Sequence, residues 1–371
     1  MKSLSIFSCK IVYILAGVCL VSINATCGNR KTSRSMGSRD TSTTGGNLSQ
    51  TRCGAALTSI EFCDSLNPPH IILQNNVLRA VIYTPNLRCG YYRGTRFDQS
   101  GMIGKVYFGE HTFFGDWQMP HDPMHPEHGI GPAEEFDMKN PPLFSAVDSG
   151  DTFIKIGVGK LIKTTDTYFM NTPYPIAEPA MWQISCSTSQ WIEFAHTLSS
   201  AGGIAFTYTK KVAIDKNKPI ITISHSLKNS GPETITTEHY SHNFIRIDDR
   251  SIDSSYQCRF SFPLRIEDKL LKKMERYAVI TGPVLDITKS LASKTLWATF
   301  EDLSHIPDEN RFTVINQAAG ASISVSGDRA PSKFDFYATT TAICPEPFVT
   351  IEVRPGDTGR WKNVLRFQDA Q

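Results

Sequence analysis

Apolar and polar residues alternate with a period of two at several places along the chain. Ile154, Ile156 and Val158 alternate with Lys155, Gly157 and Gly159. Ile221, Ile223, His225 and Leu227 alternate with Thr222, Ser224 and Ser226, and Val349, Ile351 and Val353 with Thr350, Glu352 and Arg354. Successive side chains of a strand point to opposite faces, so this period predicts half-buried strands. Residues 215–219 (Asp-Lys-Asn-Lys-Pro) predict a hairpin turn between two such runs, and residues 229–232 (Asn-Ser-Gly-Pro) predict the next turn. One stretch, 266–277, carries Leu270, Leu271, Met274 and Tyr277 at helical spacing. No internal repeat and no strong internal linker interrupts the pattern. Many short strands with turn signals predict a mainly β protein, a sandwich of large antiparallel sheets with few short helices.

The N-terminus departs from this pattern. After Lys2 and Lys10, an apolar run over 11–23 is broken only by Tyr13, Gly17, Cys19 and Ser22. It falls short of the ~20 apolar residues of a comfortable membrane span and fits the apolar region of an export signal. The following Asn24-Ala25-Thr26-Cys27 leaves two processing readings open: cleavage after Ala25, or lipid attachment at Cys27. An uncleaved anchor is the third. Residues 28–50 are rich in Ser, Thr, Gly and Arg and nearly free of large apolar side chains. Such a segment cannot offset its ordering entropy and predicts a disordered tether, which suits an enzyme held off a membrane surface. The expected organisation is an export signal over 1–26, a tether over 27–52 and a single folded domain over 53–371. The expected location is extracellular or periplasmic, either soluble or tethered to a membrane as a lipoprotein through Cys27.

Composition narrows the partners. The formal net charge is +2, with both signs mixed along the chain. No basic patch with interleaved aromatics is present, which argues against nucleic acid. Aromatics at 10% suit sugar stacking and an ordinary core equally. Beyond Cys27 the cysteines are Cys53, Cys63, Cys89, Cys186, Cys258 and Cys344. Export permits disulfides, and Cys53 and Cys63 are close enough in sequence to bridge, but spacing leaves the connectivity open. The lack of CxxC spacing argues against a thiolate zinc site. The Asn24 and Asn47 sequons both lie in the signal or tether.

Four segments carry candidate chemistry. The segment from Cys89 to Trp117 holds Arg93 and Arg96. The next, HDPMHPEHGIGPAEEFD, holds His121, His125, His128, Glu134 and Glu135. TTEHYSHNFIRID holds His239 and His242, and ICPEPFVTIEVRPGDTGRW holds Glu346 within an apolar run. Each has a plain structural reading as well. Glu346 would be an edge-strand surface charge, though its Cys-Pro and Pro-Phe flanks do not look like an alternating solvent face. His128 would be an ordinary loop residue. One of the two arginines would pair with a surface acid. Glu134 and Glu135 read as solvated neighbours on a loop rather than as an acid pair. His239 and His242, three apart, fall on opposite faces of a regular strand, so one is expected to be structural or solvated. His121, His125 and His128 have helical spacing, yet Pro120, Pro123, Pro126 and Gly129 prevent a helix there, so neither a metal at this cluster nor any structural metal is expected.

In this order, the segments resemble the aldose 1-epimerase (galactose mutarotase-like) superfamily. Arg93 or Arg96 matches its Arg-bearing strand, and His128-Gly129 its His-Gly element. His239 or His242, with Asn243-Phe244, matches its Asn-His-X-Tyr-Phe strand. Cys344-Pro345-Glu346-Pro347 matches its Cys-X-Glu-Pro strand, and Pro355-Gly356 its closing turn. The likeness runs over 76–367. It departs at His125-Pro126-Glu127-His128-Gly129-Ile130, where the family has Asn-His-Leu-His-Gly-Gly, and no residue stands out as the family's substrate-binding Asp. The resemblance implies an antiparallel β-supersandwich, a carbohydrate ligand and no cofactor. It implies aldose 1-epimerase activity with Glu346 as base and His242, or else His239, as acid. His128 and Arg96, or Arg93, would bind the sugar. Anomer exchange needs this pairing in any case, because a base must take the anomeric hydroxyl proton and an acid must protonate the ring oxygen. Two other functions fit the same segments: a carbohydrate-binding module that kept the fold without the chemistry, and a lyase or hydrolase on a related supersandwich. Neither the sugar nor the oligomeric state follows from the sequence.

Overall fold

The computed structural model describes residues 67–186 and 189–370. The expected export signal, the tether, and Cys27, Cys53 and Cys63 lie outside the described residues. Cys89 is held in a disulfide, while Cys258 and Cys344 are free and buried.

Among the described residues the strands form four sheets of ten, five, four and three strands. The predicted hairpin at 215–219 joins Ala205–Ile214 to Ile220–Asn229, paired antiparallel from Ile214–Ile221 to Phe206–Asn229. The turn at 229–232 does something different. The chain leaves the ten-stranded sheet there and enters the five-stranded sheet as Ile235–Asn243. Asn229 holds this crossing: its Nδ2 donates to the Glu233 and Val353 carbonyls at 2.7 and 2.8 Å, and its Oδ1 accepts from the Gly231 amide at 3.0 Å. The helical stretch is a single short helix, Asp268–Met274, anchored by buried Met274.

The five-stranded sheet runs Leu296–Thr299, Lys333–Ala338, Ile343–Val353, Ile235–Asn243, Pro132–Phe136. One face packs on the ten-stranded sheet. Phe136, Ile235, Val349 and Ile351 meet Phe206, Tyr208, Leu227 and Trp361 there. Burying one such aliphatic side chain contributes on the order of 1.5–3 kcal/mol. A one-residue slip of Ile343–Val353 would expose Val349, Ile351 and Val353 together, so the core sets the register.

The alternation at 154–158 misled. The strand Thr152–Lys155 stops before it is complete, and Gly157 turns the chain at φ 83° into Gly159–Ile162. Lys155, expected on a polar face, is 0% exposed. It faces inward because a buried carboxylate, Glu135, lies 3.0 Å from its ammonium.

His196, on Trp191–Ser199, sits in an aromatic part of the core against Trp182 and Phe206. Neither ring nitrogen has a hydrogen-bond partner, and burial pushes its pKa down to about 4. An unfolded histidine titrates near ~6.5. Between those values the unfolded chain binds more protons, so stability falls as pH drops through the window, by about 3 kcal/mol in all. His196→Leu is expected to flatten this acid limb and leave stability at neutral pH equal or higher. Urea unfolding at neutral pH and near pH ~4.5 measures both.

Candidate functional site

The site lies on the face of the five-stranded sheet that points away from the ten-stranded one. The register that pairs Tyr240 with Phe348 resumes at the Ile245–Ile343 bridge, which sets His242 opposite Glu346. On the other side His242 pairs with Ala133 and Tyr240 with Glu135. Glu346 pairs onward with Asp335, and Cys344 with Tyr337. Period two then puts Glu135, Tyr240, His242, Cys344 and Glu346 on one face. The His242 Nδ1 is 3.2 Å from Glu346 Oε1, and the two residues are 4% and 5% exposed. Neither atom has a partner beyond the other.

Aromatic rings wall this pair. The His242 ring stacks on Phe244 at 4.1 Å and meets Tyr337 at 5.5 Å, Trp117 at 5.9 Å and Phe97 at 6.1 Å. The loop carrying His128 lies against the same wall at Gly129. A Cβ at that position would come within 2.9 Å of both Phe97 and Phe244, so only glycine lets the loop sit there.

Arg96 is pinned beside the pair. Its Nε donates to Glu135 Oε2 at 2.8 Å and its Nη2 to the Tyr240 hydroxyl at 2.9 Å, while that hydroxyl donates to Glu135 at 2.6 Å. Lys155 supplies Glu135 with a second cation and also donates to the carbonyls of Phe136 and Asp137. Burial alone would raise Glu135, but Lys155 and Arg96 outweigh it and hold the carboxyl below its usual range. Glu346 behaves oppositely. Burial pushes it well above the carboxylate range, and Arg96 offsets this only in part. His242 is held well below the usual histidine range by burial and then by the charge of Arg96. Both shifts favour the uncharged forms, a carboxylic acid beside a neutral imidazole.

The opposite face of the same strands carries a second polar cluster. Glu134 and Glu135 are not solvated loop charges. They are consecutive residues of strand Pro132–Phe136, both buried, and they point to opposite sides of the sheet. Glu134 faces the ten-stranded sheet, with Lys210 Nζ at 2.7 Å, His225 Nε2 at 2.9 Å and His239 Nε2 at 3.7 Å. Trp361 Nε1 donates to His239 Nδ1 at 3.1 Å, which leaves the His239 proton on Nε2, toward Glu134. Burial pushes the His239 pKa down to about 3, with Glu134 opposing. His239 thus lies between the sheets and does not join Glu346, as the offset of three from His242 requires.

The loop histidines do not converge as metal ligands. His121 Nε2 bonds the Tyr91 carbonyl at 2.7 Å. His125 Nδ1 accepts from the Glu127 amide at 3.2 Å, and His128 Nδ1 from the Asp122 amide at 2.9 Å. The rings of His125 and His128 lie 4.3 Å apart instead. Partial burial, then His125 and His121, holds His128 below the usual histidine range. Two other groups do bring metal-capable atoms within 4.8 Å of one another: Glu134, His225 and His239, and His242, Cys344 and Glu346. In the first, the Lys210 ammonium already takes the place of a cation. Arg93 lies in the loop ahead of Arg96, where its amide bonds the Pro123 carbonyl and its buried Nε has no partner. The sequence reading missed Lys155, Tyr240 and Lys210. Each meets its carboxylate, Glu135 or Glu134, only through the tertiary fold, so local pattern gave no signal.

No family model and no curated protein matches the chain by sequence. Solved structures do match its course. The Slr1438 protein from Synechocystis sp. PCC 6803 is 13% identical, over 84% of this chain and 100% of that one, with a TM-score of 0.53. A galactose mutarotase-like protein from Clostridium acetobutylicum is 9% identical, over 83% and 97%, with a TM-score of 0.51. A Klebsiella pneumoniae protein provisionally named an aldose 1-epimerase is 11% identical, over 79% and 77%, with a TM-score of 0.50. The fold is that of the galactose mutarotase-like proteins. This is the antiparallel β-supersandwich expected from the four ordered segments. A likeness at such identity is one of fold, so the chemistry rests on this chain's own side chains.

Proposed function

We propose that the protein interconverts the α and β anomers of a free aldose, with Glu346 as base and His242 as acid. The observation that carries this reading is the pair itself: Oε1 and Nδ1, buried, 3.2 Å apart and with no partner beyond each other. The anomeric hydroxyl and the ring oxygen of an aldose share one carbon. The groups that serve them must therefore be neighbours, and here nothing but the pair itself competes with a sugar for either atom. The resting pair holds one proton. Moving it from Glu346 to the imidazole yields the carboxylate and imidazolium that proton abstraction and ring-oxygen protonation require. Arg96, fixed by Glu135 and Tyr240, favours the Glu346 carboxylate and would stabilise negative charge as it develops. His128 would reach sugar hydroxyls from the loop on the aromatic wall. The mutarotase-like and epimerase names of the structural neighbours agree with this reading.

Saturation-transfer NMR or polarimetry on a panel of hexoses, pentoses and uronic acids tests it. Exchange above the uncatalysed rate is the expected result. Binding without exchange would instead identify a carbohydrate-binding module. Cleavage of an oligosaccharide with new ultraviolet absorbance would identify a lyase. The N-terminal pattern adds that this activity operates outside the cytoplasm. The intact mass of the native protein should lack residues 1–23, and retention of that segment would refute export. An acyl mass on Cys27 would place the protein on a membrane.

A further inference from the structure

We propose that His242, Cys344 and Glu346 form a binding site for a thiophilic divalent cation of the zinc type, and that the bound cation blocks anomer exchange. Cys344 and Glu346 are two apart on one strand and so share a face, and His242 stands opposite Glu346 on the next strand. Their Sγ, Oε1 and Nδ1 atoms all lie within 4.8 Å of one another, and all three residues are buried. Two of these atoms, Oε1 and Nδ1, have no partner beyond each other, so a cation would take them without breaking any other bond.

The separation of Nδ1 and Oε1 suits a tetrahedral ion. Zinc holds imidazole nitrogen and carboxylate oxygen at ~2.0–2.2 Å, which sets the two atoms about 3.4 Å apart. They are 3.2 Å apart here. The donor set of one thiolate, one imidazole and one carboxylate favours Zn²⁺ or Co²⁺ over the oxygen-seeking Mg²⁺ and Ca²⁺. Two anionic donors neutralise the dication, as a buried position beside Arg96 demands. Any proton that Cys344 or Glu346 carries leaves to solvent on binding. Three protein ligands leave the fourth position to water or a sugar oxygen. The absence of CxxC pairs gives no hint of this set, because His242 and Glu346 are brought together only by strand pairing.

The blocking half of the proposal rests on the epimerase reading: the cation would use the same Oε1 and Nδ1 that serve the sugar. The binding half stands without it. Co²⁺ titrated into the exported chain is expected to bind one ion per chain, to show a thiolate-to-cobalt charge-transfer band, and to be displaced by Zn²⁺. Cys344→Ser should abolish the band and weaken binding by at least about 10²-fold. Absence of saturable Co²⁺ binding, or a band that survives Cys344→Ser, overturns the site. Should Cys344→Ser fail to fold by circular dichroism, Glu346→Gln serves instead. It should keep the band and lose a similar factor in affinity, and unchanged affinity overturns the site. Anomer exchange is measured on the same samples with and without Co²⁺. Exchange that persists at saturating Co²⁺ overturns the blocking half. Binding with no exchange in either state supports the site and removes the epimerase reading.

Discussion

Glu346→Gln is expected to slow anomer exchange by ~10² to 10⁴-fold, while the thermal midpoint stays level or rises. Glutamine is nearly isosteric with glutamic acid. The Glu346 carboxyl is buried and held well above its usual range, chiefly by desolvation, so the fold favours the neutral group that glutamine mimics. The substitution removes proton abstraction without removing a stabilising charge. The histidines should separate. His242→Ala is expected to reduce exchange by a similar factor. His239→Ala is expected to lower stability, since it strips a partner from Glu134 and from Trp361, and to leave exchange per folded molecule within a few-fold of the parent. Saturation-transfer NMR combined with urea titration reads both quantities. Equal loss of exchange in both histidine variants, at equal folded fraction, would refute the assignment of His242.

Lys210→Met is expected to destabilise the protein by ~3–5 kcal/mol, the usual result of leaving buried charge uncompensated. The Lys210 ammonium is 2.7 Å from Glu134 and 3.4 Å from Asp98, and it donates to the Ser100 carbonyl at 2.7 Å. Burial alone would raise the Glu134 carboxyl, but His225 and Lys210 outweigh it and hold it well below its usual range. A depressed folded pKa contributes stability that is present above the unfolded value of ~4.3 and lost as pH falls through the lower folded value. The parent should therefore lose stability in acid below about pH 4.3. Lys210→Met should lose it at neutral pH and show a shallower acid limb. The double variant Lys210→Met, Glu134→Gln should recover part of the loss, because it removes one stranded carboxylate. Urea unfolding at neutral and acid pH is the measurement. A neutral-pH loss below about 1 kcal/mol would mean that the histidines, not Lys210, compensate Glu134.

The sequence by itself determined what depends on near neighbours. The alternation over Ile220–Asn229 and in the later part of Ile343–Val353 marks strands because one face of each is core. Residues 215–219 make a hairpin by turn chemistry alone. The helical run yields Asp268–Met274. Spacing also established that His239 and His242 could not share a face, and the order of four motifs pointed to the supersandwich. Only tertiary structure decided which histidine meets Glu346. That choice depends on a register between strands a hundred residues apart, and the register is set by which side chains the ten-stranded sheet buries. The same cause separated Glu134 from Glu135. Adjacent in sequence, they resemble a solvated pair, but each side of the sheet presents its own partners: Lys210 and His225 on one face, Arg96 and Lys155 on the other. Lys155 itself was misplaced for this reason. A lysine is written in sequence as a polar residue, and whether it faces water or a buried carboxylate is settled by a strand elsewhere in the chain, where desolvation is offset only by a charge that the local pattern cannot show.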